Sequence, residues 1–327
     1  MEAGEVTMAP ARAGDGLPPR RQFLALALAA AVASLAPASA RAAARATTMG
    51  VLPPQLGWGP VPAQAPATEG MAPLPGLELY YWDTGGPGEP ILLCHPATGS
   101  ALVWGYQQPA FARAGFRVIG YSRRGHARSG SGPAGDAGFA VDDIDALLAH
   151  LKVDKFHMVA SAAGGFCATD FALTNPGRLA SMTISCSQAG VTEQSFRDQV
   201  TAFNPPWFRS LPASFRELGS YYRAGYPQGV AEWEQLEEHA LSGAKIILQR
   251  TRNRIDFADL EKIEVPTLVV AGGADLVTPV ALMQQVAGHL PRSETVVISD
   301  CGHSAYWEQP DVFNAAVLDF LGRHRAR

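Results

Sequence analysis

The chain has 327 residues, 47% of them hydrophobic and 17% charged, which suits one enzyme-sized globular domain with an insertion and leaves no length for many domains. A formal net charge of -4 excludes the basic stripe that nucleic-acid binding requires. The densest basic cluster, Arg123, Arg124, His126 and Arg128, suits turn contacts better than a phosphate site.

At the N-terminus, Arg20, Arg21, Gln22, Phe23 and Leu24 precede an alanine-rich apolar stretch ending near Pro37, and Ala38, Ser39 and Ala40 form an A-x-A cleavage pattern. This leader, residues 1–40, resembles a bacterial twin-arginine export signal, from which Pro19 and Ala25 depart. The resemblance implies export to the periplasm or beyond by the twin-arginine machinery, with a mature chain starting near Arg41. The stretch falls short of the ~20 apolar residues of a spanning helix, so no stable membrane anchor is expected. Residues 41–75 are rich in Pro, Gly and Ala and read as an extended or unstructured linker.

Short apolar runs then alternate with helical periods: L-E-L-Y-Y-W (77–82), I-L-L-C (91–94), R-V-I-G-Y (117–121), F-H-M-V (156–159), S-M-T-I-S (181–185), P-T-L-V-V-A (266–271) and T-V-V-I (295–298). Between them, segments such as 141–151 and 165–175 carry apolar residues at helical spacing. Strands buried on both faces and separated by helices predict an α/β fold, a mostly parallel sheet flanked by helices. A hairpin turned by Gly85, Gly86, Pro87 and Gly88 is expected to add antiparallel edge strands. The core is therefore assigned to 76–190 and 263–327. Residues 191–262 break the rhythm with helical pattern, no strand-like run and many aromatics, which marks an inserted helical cap. Some of those aromatics are expected to face the gap between cap and sheet and to favour an apolar or aromatic ligand.

Four cysteines, Cys94, Cys167, Cys186 and Cys301, lack C-x-x-C spacing or nearby His pairs, so buried free thiols are expected rather than a zinc site. No metal or nucleotide motif is present, and no cofactor is implied.

Four motifs carry the chemistry. The first is C-H-P-A-T-G-S at 94–100; the second is Y-S-R-R-G-H-A-R-S-G at 121–130. The third, V-A-S-A-A-G-G at 159–165, is an apolar strand running through small residues into a helix, in the register of a G-x-S-x-G elbow. There Ala160 stands for the first Gly, Ala162 for the serine, and Gly164 keeps the last Gly. The fourth is a pair, A-G-G-A-D-L-V-T-P at 271–279 and D-C-G-H-S-A-Y-W-E-Q-P at 300–310. An Asp and a His after two successive apolar strands suit a proton relay, in which the carboxylate fixes the tautomer of the imidazole.

In this order the motifs resemble the α/β-hydrolase fold family over residues 77–323. The resemblance implies Ala162 at the nucleophile position, a relay of His303 and Asp275, and an oxyanion hole from the N–H groups of Ala97 and Ala163. Candidates for substrate contact are His95, Ser100 and Trp104 around the first motif, Ser161 beside the elbow, Trp207, Phe208 and Tyr222 in the insertion, and Tyr306 after the histidine. A methyl group has no lone pair, so no acyl-enzyme can form at Ala162. The leading expectation is ester, lactone or C–C hydrolysis of a small hydrophobic, mostly neutral and aromatic carbonyl compound through His303, Asp275 and the oxyanion hole alone. Three alternatives stay open: a serine esterase or lactonase inactivated by alanine at 162, a lyase or cofactor-free oxygenase, and a ligand-binding pseudoenzyme.

Overall fold

Successive side chains of a strand point to opposite faces, and a strand covered on both faces is apolar throughout. In the computed structural model, which describes residues 49–241, 247 and 249–325, four strands buried along almost their whole length, with His157 and several hydroxyls among their apolar residues, lie at the centre of the sheet: β4 (Pro90–Cys94), β6 (Phe156–Ser161), β7 (Leu179–Ser185) and β8 (Thr267–Gly272). Leu92, Met158, Val269 and Ala271 face one core cluster. Ile91, Leu93, Val159, Leu268 and Val270 face the other. Helices α1 (Gln107–Arg113), α2 (Ala140–His150), α3 (Ala163–Thr174), α9 (Val280–Gly288) and α11 (Pro310–Arg323) belong to these layers. The residues of α2, α3 and α9 pack in the first cluster, and those of α1 and α11 in the second.

The sheet has nine strands in the order β1-β9-β8-β7-β6-β4-β5-β3-β2. The remaining members are β1 (Met49–Leu52), β2 (Thr68–Leu74), β3 (Leu77–Asp83), β5 (Arg117–Tyr121) and β9 (Ser293–Ile298). Only β2 and β3 run antiparallel to their neighbours. This is the α/β-hydrolase architecture, with a mostly parallel sheet flanked by helices. The chain order reverses direction at β4, whose neighbours are β5 and β6, and such switch points gather ligands at the carboxyl ends of the strands.

Between β7 and β8 the described residues form α4 (Gln194–Phe203), a 3-10 turn at Pro206–Ser210, α5 (Ala213–Glu217), α6 (Ser220–Gly225), α7 (Pro227–Ala240) and α8 (Phe257–Leu260). After β9 come α10 (Ala305–Glu308) and α11. No helix among the described residues is long and apolar enough to cross a membrane. The leader, 1–40, lies outside the described residues.

Two expectations need correction. The segment 41–75 is not a structureless linker from residue 49 onward. β1 pairs with β9 from Met49↔Thr295 to Leu52↔Ile298, and β2 pairs with β3 along its length. The prolines between them cannot donate to a sheet, so side chains hold that stretch instead. Trp58 Nε1 donates to Glu308 O (2.6 Å), and Gln108 exchanges two 2.8 Å bonds with the backbone of Ala65. Trp58 also stacks on Tyr226 with an interplanar angle of 6°. The hairpin, likewise, is not at 84–89. It turns at Pro75 and Gly76 (φ 79°) between β2 and β3, where a single Pro-Gly pair suffices. Residues 84–89 cross instead to β4, which does not neighbour β3.

One buried base inside the sheet makes stability sensitive to pH. Burial lowers the His157 imidazole to about 4, against an ordinary value of ~6.5, and Nδ1 contacts Ser181 Oγ at 2.8 Å. The unfolded chain therefore takes up this proton first. The stability it contributes is present above about pH 6.5 and is lost as pH falls through about 4. His157→Gln should remove roughly 1–2 kcal/mol of the acid-induced loss over that window, read from urea midpoints at several pH values; parallel pH slopes for both chains would contradict this.

Candidate active site

The site is built on strand ends. β6 delivers Ser161 and Ala162, and α3 starts at the next residue. Ala162 has φ 50° and ψ -115°, a conformation that costs a non-glycine residue about 1–3 kcal/mol and belongs to a nucleophile elbow. It is held by Ala162 N donating to Ser185 O (2.9 Å) and by Ser187 Oγ and Gly165 N donating to Ala162 O (2.5 and 3.0 Å). A Cβ at Gly164 would collide with the Cys94 carbonyl oxygen, so only glycine lets α3 approach β4 so closely. The strained turn carries a methyl group at Ala162.

After β8, Asp275 Oδ1 accepts from Val277 N (2.7 Å) and Thr278 N (2.8 Å), leaving Oδ2 for His303 Nδ1 at 2.8 Å. Both residues are 5% exposed. Burial works to lower the pKa of His303, but Asp275 overrides it, with help from Glu217 and Glu308, and the net shift is upward. With Nδ1 committed, Nε2 is left for the cavity of about 300 Å³ that His303 lines together with Ala97, Thr98, Ala162, Ala163, Phe166 and Glu217. A volume of that order admits a small ligand.

The loop of the first motif follows β4. His95 Nε2 accepts from Arg123 N (3.0 Å), so the proton lies on Nδ1, which donates to Pro96 O at 2.7 Å. Pro96 O also accepts from Gly99 N (3.1 Å) and Arg123 Nη2 (3.1 Å). Three donors on one carbonyl fix the loop just before Ala97. Ala163 is the first residue of α3, where N–H groups have no partner within the helix and the dipole favours negative charge. Ala97 and Ala163 line the same cavity as His303 and Ala162.

Two further carboxylates stand at the site: Glu217, which the sequence did not single out, and Glu308 of the motif at 300–310. Glu217, at the end of α5 in the insertion, is 5% exposed, lines the cavity and accepts from Thr98 Oγ1 at 2.8 Å. Burial raises its pKa against the opposing pull of His303 and Thr98. Its backbone oxygen accepts from His303 N (2.7 Å) and Ser304 N (3.1 Å), so the insertion grips the histidine loop directly. Glu308 lies beneath, raised to about 7 by burial, and accepts from Gly219 N, Gly302 N and Ser304 N at 2.7, 3.0 and 3.2 Å. A lone Glu in a helical insertion carries no sequence pattern that marks it.

The eight candidates for substrate contact fall elsewhere, and none of them lines the cavity at His303. Both ring nitrogens of His95 are used within the loop. Ser100 caps a 3-10 turn by accepting from Leu102 N. Ser161 is buried at the end of β6. Trp104 and Tyr306 pack on each other at 4.9 Å in the core. Tyr222 packs edge-on to Trp58, Phe208 is buried, and Trp207 is 66% exposed. Aromatics of the insertion were expected to face the ligand; Tyr222 and Trp233 complete a core instead, Phe203, Trp207 and Phe215 are exposed, and Phe166 of α3 is the aromatic at the cavity.

Two hydroxyls and the thiol at the cavity are engaged by other groups. Thr98 donates to Glu217 and Ser187 to Ala162 O. Cys186 brings its sulfur within 4.8 Å of the ligating atoms of Asp275 and His303, a cluster of metal-binding residue types that sequence spacing did not show. Its thiol is directed at Gly302 O (3.7 Å) and is kept protonated by burial, then by Asp275. The oxygens of Asp275 are occupied by His303, Val277 and Thr278. All four cysteines are free and buried. Ser122 and Ser129 serve the second loop: Ser122 Oγ accepts from Ala101 N, and Ser129 Oγ donates to Ser122 O.

Residues 91–316 match the alpha/beta hydrolase family, and the chain belongs to it. It is 27% identical over 279 residues to a 2-hydroxy-6-oxononadienedioate/2-hydroxy-6-oxononatrienedioate hydrolase of Paraburkholderia phymatum, covering 76% of this chain and 92% of that one. A putative carbamate hydrolase of Caulobacter sp. is 28% identical over 263 residues, covering 76% and 97% of the two chains. Among solved structures, a thermophilic esterase from Thermogutta terrifontis superposes with a TM-score of 0.65 at 26% identity, over 80% of this chain and 100% of that one.

The balance at His303 is testable directly. In Asp275→Asn the upward pull is removed and burial prevails, so the imidazole should titrate about one unit or more lower than in the unaltered chain, followed by NMR. An unchanged midpoint would contradict the pairing.

Proposed function

We propose that this chain hydrolyses a small carbonyl compound, an ester or lactone first, by direct attack of water and without an acyl-enzyme. The observation that carries the reading is a relay of His303 and Asp275 facing an elbow whose backbone is retained and whose nucleophile is absent. His303 Nε2 takes a proton from a water lying over the Ala162 methyl group. The water oxygen bonds to the carbonyl carbon, and the carbonyl electrons move onto oxygen, where the N–H groups of Ala97 and Ala163 hold them. Collapse breaks the bond to the leaving group, which takes the proton back from Nε2. Glu217, shifted toward its protonated form, is placed to hydrogen-bond the water or the leaving oxygen. General-base action of this kind contributes roughly 10²- to 10⁴-fold, and oxyanion donors roughly another 10² to 10³.

The relatives named as hydrolases and the esterase fold support hydrolysis as the reaction class. A second reading, favoured by the intact elbow backbone, is a serine esterase or lactonase in which alanine has replaced the nucleophile. Turnover of p-nitrophenyl esters and aryl lactones separates the two. On the first reading, His303→Ala loses roughly 10²-fold or more, while Ala162→Ser changes the rate by less than about tenfold and shows no burst. A burst and a large gain in Ala162→Ser establish the second.

The leader carries a further proposal, that the chain acts outside the cytoplasm after twin-arginine export. Expressed in a bacterium, it should fractionate with the periplasm, and Arg20→Lys with Arg21→Lys should hold it in the cytoplasm. Export of the double variant would contradict this.

A further inference from the structure

Beside the cavity at His303 lies a second, smaller one of about 100 Å³, which shares Ala97, Ala163 and Phe166 with it. The two oxyanion donors therefore stand at the boundary between them. Arg123 and His126 line the second cavity; Glu217 and His303 line the first.

Arg123 is unusual among the buried charges of this chain. It is 8% exposed. Nη2 donates to Pro96 O at 3.1 Å, while Nε is buried with no hydrogen-bond partner. Among the described residues no carboxylate forms an ion pair with it, whereas the adjacent Arg124 holds Asp143 with two bonds of 2.6 and 2.7 Å. The histidines and cysteines around Arg123 are held toward their neutral forms. Burial, and then Arg123 itself, lowers His95 well below its ordinary range and His126 to about 4. Burial also raises the thiols of Cys94 and Cys167. Other polar residues at the cavity are committed elsewhere: Gln249 donates to Asp143 (2.7 Å), Thr251 to Asn253 O (2.8 Å), and Arg250 pairs with Asp136. A buried cation with no counter-charge is costly, and a planar guanidinium suits a carboxylate.

We propose that Arg123 forms an anion subsite and that the substrate is a carbonyl compound bearing a carboxylate on a short chain. The inference rests on the hydrolytic reading above and departs from the neutral, aromatic substrate that the sequence suggested. A cavity of about 100 Å³ has room for a carboxylate and a methylene or two. The first cavity is lined by Glu217 and Arg216 together with His303, which is bound to Asp275, and the unpaired Arg123 lies at the second. An acidic carbonyl compound enters with its carboxylate toward Arg123 and its reacting carbonyl between Ala97 and Ala163.

The test is binding, which needs no turnover: calorimetry with succinate, glutarate and adipate, and with their neutral diamides, on the full chain, His303→Ala, Arg123→Gln and Arg123→Lys. At least one diacid should bind the first two chains alike. Arg123→Gln should weaken it roughly 10- to 100-fold, Arg123→Lys should retain part of the affinity, and the diamides should not distinguish the chains. If Arg123→Gln does not fold, Arg123→Lys with the loss of diacid affinity at rising salt carries the same test. Diacid binding that ignores both substitutions, or no diacid binding at all, overturns the subsite. Arg123-dependent binding in a chain that hydrolyses no ester retains the subsite and refutes the hydrolytic reading instead.

Discussion

The hydrogen bond between Asp275 Oδ2 and His303 Nδ1 is the interaction on which the chemistry of this site depends, because two opposing forces meet there. Burial alone would strip His303 of its basicity, and a histidine held neutral and weakly basic could not accept a proton from water. The carboxylate reverses that balance while fixing which nitrogen faces the cavity. Asp275 can do this only because the turn after β8 donates two N–H groups to its other oxygen. The insertion adds a second hold, since the backbone oxygen of Glu217 receives both His303 N and Ser304 N. Sheet, turn and insertion thus converge on one ring.

The elbow shows what the fold preserves when a nucleophile is absent. Strain at Ala162 persists because Gly164 and Gly165 press α3 against β4 and Ser187, leaving no relaxed path for the chain. The same geometry exposes the Ala163 N–H at the start of a helix. Backbone donors survive the loss of the hydroxyl, because they belong to the turn and not to the side chain at 162. A site of this kind can stabilise an oxyanion while lacking the means to form an ester with its substrate, which is why the water-attack reading fits it.

Much of this was legible in the sequence, for identifiable reasons. The central strands are continuous apolar runs because helices cover both faces, so β4 and β6 to β9 stood out. The motifs at 94–100, 159–165, 271–279 and 300–310 placed His303, Asp275, Ala162, Ala97 and Ala163 at the strand ends. The edge strands β1 and β2 did not stand out: β1 is only four residues long with an exposed centre, and β2 contains Pro73 and polar positions. Aromatic content misled as to the ligand, since a tryptophan or tyrosine near a site in sequence fills a core as readily as a pocket; Trp104, Tyr222 and Tyr306 do the former. Glu217 carried no local pattern, and Arg123 was read only as one of a basic cluster serving turn contacts. The burial of both beside the cavities arises on folding, which no local pattern encodes.

The most direct test of the account is the mass of the intact protein, quenched during steady-state turnover of an ester substrate. Water attack predicts a single species at the unmodified mass at every time point while product accumulates. A species heavier by the acyl group, whether it maps to Ser161, Ser187 or Cys186, would contradict the account by placing a covalent nucleophile in a site that the structure says has none at 162.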